Sequence, residues 1–252
     1  MTGSSDDLAR RLADAWREHT TITDLDAGSI PADAAAAFDI QHRSLGLMQQ
    51  TIAGWKVGAK SVDGPIQGAP LPADRCLPSG ATLRRADFAV LGLEFEIAFR
   101  FGRVFEPFSG PHSDQEVLAA LSHMQATIEI VSSRYAAWPA VDKLAQLADL
   151  QNHGALVCGD AVAHDPAYPF LDPRLSFSFN DTDVIKGRVA NPAGDPRRLL
   201  AWTVNHCVAR GIALGGDVLV TTGSYTGMHF PDGPGTAVGR ISGLPPVQLT
   251  LE

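Results

Sequence analysis

The stretch Gly92–Phe101, GLEFEIAFRF, constrains the fold more than any other part of the chain. Leu93, Phe95, Ile97, Phe99 and Phe101 alternate with Glu94, Glu96, Ala98 and Arg100. That is the period of a β-strand. Five large apolar side chains on one face require a second layer to cover them. The opposite face carries two carboxylates roughly 7 Å apart. Either that face looks into water, or a cation lies between the two groups. A later stretch, QATIEIVSSRY, places Thr127, Glu129 and Val131 on one face and Ile128 and Ile130 on the other. Glu94, Glu96 and Glu129 then form a set of hard oxygen ligands suited to Mg²⁺ or Mn²⁺. Without a cation, three crowded carboxylates repel one another and at least one pKa rises. A solvated strand face with scattered acids is the commoner use of a Glu-x-Glu pair, so both readings stand on these residues alone.

Around these strands the sequence divides in two. Residues 1–50 read as helices. Leu8, Leu12 and Trp16 recur at spacings of four behind the acids Asp6 and Asp7, and a run rich in helix formers follows Pro31. After Gln50 the texture turns to short strands: AGWKVGAKS, the quoted pair, GALVCGD, and a hairpin in LSFSFNDTDVIKGRV with its turn in Asn180–Asp183. Gly64–Gly80 is dense in Pro and Gly and reads as irregular. Ser113 and Glu116 form a capping box that opens a helix running toward the second strand. Asp195, Pro196 and Gly211 bracket another helix. The order predicts an α+β fold with peripheral helices: an N-terminal helical segment over 1–50 packed on a strand-rich domain over 51–252.

Charge and composition narrow the partners. The net charge is −8 with no basic run, which argues against nucleic acid. No apolar run reaches the length of a membrane span, and the first residues lack the basic-then-apolar order of a signal peptide. Three scattered cysteines fit neither a disulfide framework nor a CxxC zinc site and point to a reducing, cytoplasmic setting. The eight histidines show no metal-ligand spacing.

Further polar residues have two readings each. Lys56, between Trp55 and Val57, either snorkels to water or is a proton carrier whose pKa burial lowers. Its neighbour Lys60 reads as solvated. Asp149 is an acid near the site or a cap. Arg134 holds a carboxylate or braces a loop. Thr221–Gly227, TTGSYTG, leaves a strand into a Gly-rich turn that lets main chain approach a ligand, or serves as an ordinary tight turn.

Taken in order, GWKVGAKS, GLEFEIAFRF, IEIVSSRY, LADLQNHGALVCGD, the segment from Asn191 to Gly227 and VGRISGL resemble the 2-keto-4-pentenoate hydratase and 4-oxalocrotonate decarboxylase branch of the fumarylacetoacetate hydrolase superfamily. The resemblance runs from about Ala35 to the C-terminus. It implies a mixed β-roll, Mg²⁺ or Mn²⁺ on Glu94, Glu96 and Glu129, Lys56 as the active-site lysine and Asp149 as an acid near the site, which makes these two the candidate catalytic groups. Arg134, Thr222 and Gly223 are the candidate substrate contacts from the readings above. It also implies a homo-oligomer acting on a small 2-keto acid or dienoate, late in aromatic-ring degradation. The favoured reaction is hydration of a 2-hydroxy-2,4-dienoate to a 4-hydroxy-2-keto acid. The alternatives are decarboxylation of a 4-oxalocrotonate-like diacid and hydrolysis of an acylpyruvate-like C–C bond.

Overall fold

The computed structural model describes residues 2–252, with side chains from residue 5. Two helices come first, α1 (Thr2–Glu18) and α2 (Ala34–Leu47). Asp33 caps α2 by accepting from the Ala36 amide. Helix α1 starts earlier than the sequence pattern implies, so Asp6 and Asp7 lie beyond its first turn. The next strands are β1 (Ile52–Gly58), β2 (Gln67–Pro72), β3 (Cys76–Pro78), β4 (Ala81–Leu83) and β5 (Gly92–Phe101). Helix α3 (Asp114–Ala119) begins on the expected capping box of Ser113 and Glu116. It ends after six residues, and β6 (Leu121–Val131) starts sooner than the helical pattern suggested. Helix α4 (Lys143–Ala148) leads through a 3₁₀ turn into β7 (His153–Cys158) and the short β8 (Val162–Ala163). Strands β9 (Leu175–Phe179) and β10 (Thr182–Asp183) form the hairpin. Its two loop residues, Asn180 and Asp181, both have positive φ, the geometry of the turn whose twist matches paired strands. Helix α5 (Leu200–Ala209) and strands β11 (Leu219–His229), β12 (Gly235–Ile241) and β13 (Val247–Leu251) complete the chain.

The strands form two sheets. The larger runs β2-β1-β11-β5-β6-β7-β3, with β8 also on β6; the smaller runs β10-β9-β12-β13-β4. Strands β2 and β3 are opposite edges of the larger sheet, yet only Ala73–Arg75 separate them in the chain. Four residue steps span at most about 15 Å. The sheet must therefore curl until its edges approach, which makes it a roll with an inside and an outside.

The alternation of β5 sorts its residues between these two surfaces. Leu93, Phe95, Ile97, Phe99 and Phe101 are fully buried outside the roll, against the smaller sheet and α5. The Phe95 ring stacks on Phe177 of β9 at 5.2 Å. Burying each such side chain contributes about 1.5–3 kcal/mol relative to leaving it exposed. Glu94, Glu96, Ala98 and Arg100 point into the roll. Helix α1 packs on α2, and α2 on α4 and β2, through Leu8, Leu12, Ala37 and Ile40.

Candidate metal centre and active site

Register alone brings the three glutamates together. Glu94 of β5 pairs directly with Glu129 of β6, and Glu96 with Thr127. Like charges directly opposite one another on antiparallel strands are destabilising. Here one carboxylate oxygen from each of Glu94, Glu96 and Glu129 lies within 4.8 Å of the others. Glu96 is 2% and Glu129 1% exposed, so water does not dilute the repulsion.

The surroundings stabilise these carboxylates unequally. Glu129 Oε1 accepts from Lys56 Nζ at 2.6 Å and from His153 Nδ1 at 3.0 Å. Burial pushes its carboxyl up, but Lys56 and His153 together outweigh burial and hold it below the usual range. Glu94 has no such partner; burial and then the Glu129 charge push it up to about 7. Glu96 rises to about 8 for the same reasons, although Thr221 Oγ1 and the Gly223 amide both donate to its Oε2. Three carboxylates thus share one ammonium. Glu129 Oε2 is buried and has no hydrogen-bond partner among the described residues. The cluster has the donor atoms, the charge deficit and the orphaned oxygen that a divalent cation satisfies.

Lys56 departs from the sequence expectation. Burial alone would lower its pKa, but Glu129, Glu94 and Glu96 outweigh burial and raise it, so it is an ammonium. Its Nζ also donates to the Gln151 carbonyl at 3.2 Å.

That carbonyl is aimed by an uncommon backbone. Leu150, Gln151 and Asn152 have φ of 44°, 52° and 58°, three consecutive non-glycine residues in the left-handed region. Such residues cost roughly 1–3 kcal/mol each and persist only where the surroundings hold them. Arg134 is what holds this turn. Its guanidinium grips Asp149 on one side, Nε to Oδ1 at 2.5 Å, and the His153 carbonyl on the other, Nη1 at 2.5 Å. The Arg134 amide and the Ser133 hydroxyl also donate to Asp149 Oδ2. The turn then presents Gln151 to Lys56 and the His153 ring to Glu129. Burial lowers the His153 pKa, so the ring is neutral.

The contacts place the other expected site residues. Asp149 and Arg134 pair with each other, buried, and neither lines the cavity around the glutamates; the contacts they make brace the turn, the second of the two readings given for Arg134. Thr222 is also turned away, its hydroxyl donating to the Ile97 carbonyl. Gly223 lines the cavity, but its amide is committed to Glu96. Its φ of 86° follows from an irregularity in β11 between Thr221 and Ser224 that aims this N–H inward. The expected glycine turn is in fact a bulged strand continuing to His229.

The glutamates and Lys56 sit at the base of a cavity of about 730 Å³. Sequence reasoning missed several of its features. Lys60, read only as solvated, is exposed at its wall, and Lys143, Lys186 and Arg188 join it. None of these four has an ion-pair partner among the described residues. Among the described residues no aspartate or histidine lines the cavity. His153, Thr221 and Gln151 were missed because each acts on another residue through a contact made only by folding.

No family model matches the sequence, and no curated protein matches it. Solved structures do. 4-Oxalocrotonate decarboxylase from Pseudomonas putida G7, solved with magnesium and adipate, superposes with a TM-score of 0.86 at 19% identity, covering 100% of this chain and 98% of that one. Fumarylpyruvate hydrolase from Pseudomonas aeruginosa, in complex with Mn²⁺ and pyruvate, gives 0.55 at 14% identity over 78% of this chain and 88% of that one. 2-Hydroxyhepta-2,4-diene-1,7-dioate isomerase from Mycobacterium marinum gives 0.60 at 14% identity over 80% and 76%. From end to end, the chain has the α+β roll of the fumarylacetoacetate hydrolase type, as built in 4-oxalocrotonate decarboxylase.

Proposed function

We propose that the protein is a divalent-metal-dependent lyase acting on a small 2-oxo or 2-hydroxydienoic acid. The observation that carries this reading is the meeting of Glu94, Glu96 and Glu129 beside the Lys56 ammonium at the base of one cavity. The three carboxylates would hold Mg²⁺ or Mn²⁺, which supplies Lewis acidity toward a 2-oxo acid and stabilises negative charge on its 2-oxygen. Thr221 and Gly223 hold Glu96 in place, and His153 holds Glu129. Among the described residues Lys56 is the only ammonium in contact with the cluster, and it can deliver a proton to the carbon chain as enolate and keto forms interchange.

Two observations favour decarboxylation over the hydration expected from sequence. Lys60, Lys143, Lys186 and Arg188 are unpaired cations around the same cavity, which suits a substrate with a second carboxylate. Hydration needs a base for the attacking water, and apart from the three glutamates the wall offers no carboxylate or imidazole among the described residues. Loss of CO₂ needs no such base. Hydrolysis of a C–C bond lacks a base for the same reason.

The test is direct. Chelator-treated protein receives Mg²⁺ and either 2-oxo-3-hexenedioate, followed by CO₂ release, or 2-hydroxypenta-2,4-dienoate, followed by loss of dienol absorbance. Metal-dependent CO₂ release is expected. Turnover of the monoacid dienoate alone would return the assignment to hydration, and no turnover of either would overturn the lyase reading.

A further inference from the structure

The roll is open at both ends, and the proposed chemistry uses only one. Along β5 the inward residues run Glu94, Glu96, Ala98, Arg100, so Arg100 lies about 14 Å from Glu96 at roughly 3.4 Å per residue. Between them a layer closes the roll: Leu71, Ala98, Leu156 and Leu219, all at most 2% exposed, and the hydrogen-bonded hydroxyls of Thr127 and Thr221. Beyond that layer a second cavity of about 440 Å³ opens at the opposite mouth.

Its base is built from donors. Arg100 Nε donates to Gln125 Oε1 at 3.2 Å, and Arg100 Nη1 to the Asp217 carbonyl at 2.9 Å. Arg100 Nη2 has no partner among the described residues, and no carboxylate pairs with this guanidinium. Gln125 is 2% exposed, lines the cavity and spends its carbonyl on Arg100; its Nε2 has no partner either. Gln125 Nε2 is not sealed from the cavity, so this amide donor is free to meet an acceptor bound there. Cys76 and Cys158 form part of the wall, and burial raises their pKa to about 12 and about 11, so they are thiols rather than thiolate ligands. The exposed acids Asp160 and Asp217 stand on the same wall.

We propose that this far mouth of the roll binds a small carboxylate, whose oxygens accept from Arg100 and Gln125. The planar fork of arginine suits that acceptor. Asp160 and Asp217 favour a carboxylate that also carries an ammonium group. The site is separate from the metal cluster, so it stands or falls without the lyase reading.

The two thiols supply the readout. Native, metal-free protein is labelled with N-ethylmaleimide, and Cys76 and Cys158 are followed by peptide mass spectrometry; Cys207, with no exposed surface, is the unreactive control. γ-Aminobutyrate should slow labelling of Cys158 at least fivefold, and saturably. Butyrate should protect and butylamine should not; the ratio of γ-aminobutyrate to butyrate affinity tells whether the ligand carries an ammonium. Protection should vanish in Arg100→Met and in Gln125→Leu, and persist in Lys186→Gln/Arg188→Gln at the metal-side cavity. Absence of saturable protection, its survival in both Arg100→Met and Gln125→Leu, or its loss in the Lys186/Arg188 variant would overturn the proposal. Where neither thiol reacts, calorimetric titration of γ-aminobutyrate into the same proteins gives the same readouts, and no binding there overturns it.

Discussion

Glu96 is buried among like charges, so its removal has opposite consequences with and without metal. Glu96→Gln keeps the shape and deletes one repelling charge. Metal-free Glu96→Gln should therefore melt no lower than the metal-free parent. Addition of Mg²⁺ should raise the parent's Tm, by an amount equivalent to about 2.7 kcal/mol at a hundred times Kd, and leave the variant unmoved. Calorimetry with and without chelator checks this, and an equal metal shift in both proteins would remove Glu96 from the ligand set. Lys56→Ala should lower kcat about 10²–10⁴-fold, the usual range for a lost proton-transfer group, while Mg²⁺ affinity stays the same or tightens because a competing cation is gone. The acidic pair was legible in the sequence, since strand alternation by itself puts Glu94 and Glu96 on one face. Register decided the rest: Glu129 meets Glu94 only because two strands from separate stretches of the chain align at that step.

At the scale of elements, the left-handed turn between α4 and β7 is the part for which sequence reading left two roles open. Asp149 and Arg134 were plausible as a base and a substrate contact, and folding pairs them instead. Asp149→Ala leaves a buried guanidinium uncompensated, a change that costs about 3–5 kcal/mol. Urea unfolding should show that loss, and kcat should fall through misplacement of Lys56 and Glu129. Asp149→Asn keeps an acceptor for Arg134 and should recover much of both, whereas an abolished kcat with unchanged stability would restore Asp149 as a base. The bulge in β11 is comparably local. Gly223→Ala forces a side chain into φ of 86° and swings the amide that serves Glu96, so metal affinity should weaken more than global stability.

Across the whole molecule, two sets of buried groups make stability depend on pH in opposite senses. The folded pKa values of Glu94 and Glu96, about 7 and about 8, exceed the unfolded value of 4.5. The folded state binds more protons in that window, so their contribution is lost as pH rises from 4.5 toward 8. His206 works the other way. It packs among Phe38 of α2, Trp55 of β1 and Trp202 of α5, and burial, then Arg210 and His42, lower its pKa to about 4. The unfolded state takes up its proton first on acidification, so this contribution disappears as pH falls from 6.5 to 4. Chelated protein should therefore lose Tm as pH rises from 6.5 to 8, and saturating Mg²⁺ should abolish that fall. A metal-free Tm flat over this range would contradict the buried repulsion.

Alternation, capping and turn chemistry are local properties, and they determined by themselves that this chain would form strands with five-residue apolar faces, a capped helix at Ser113 and a hairpin at Asn180. They also placed three carboxylates on strand faces. Only tertiary structure decided that these faces line the inside of a roll, because curling brings β2 to β3 through contacts that no local period encodes. Inside that roll a charged residue meets whatever the register opposes to it, which is why Asp149 became a brace, Lys56 an ammonium, and Arg100 the floor of a second mouth.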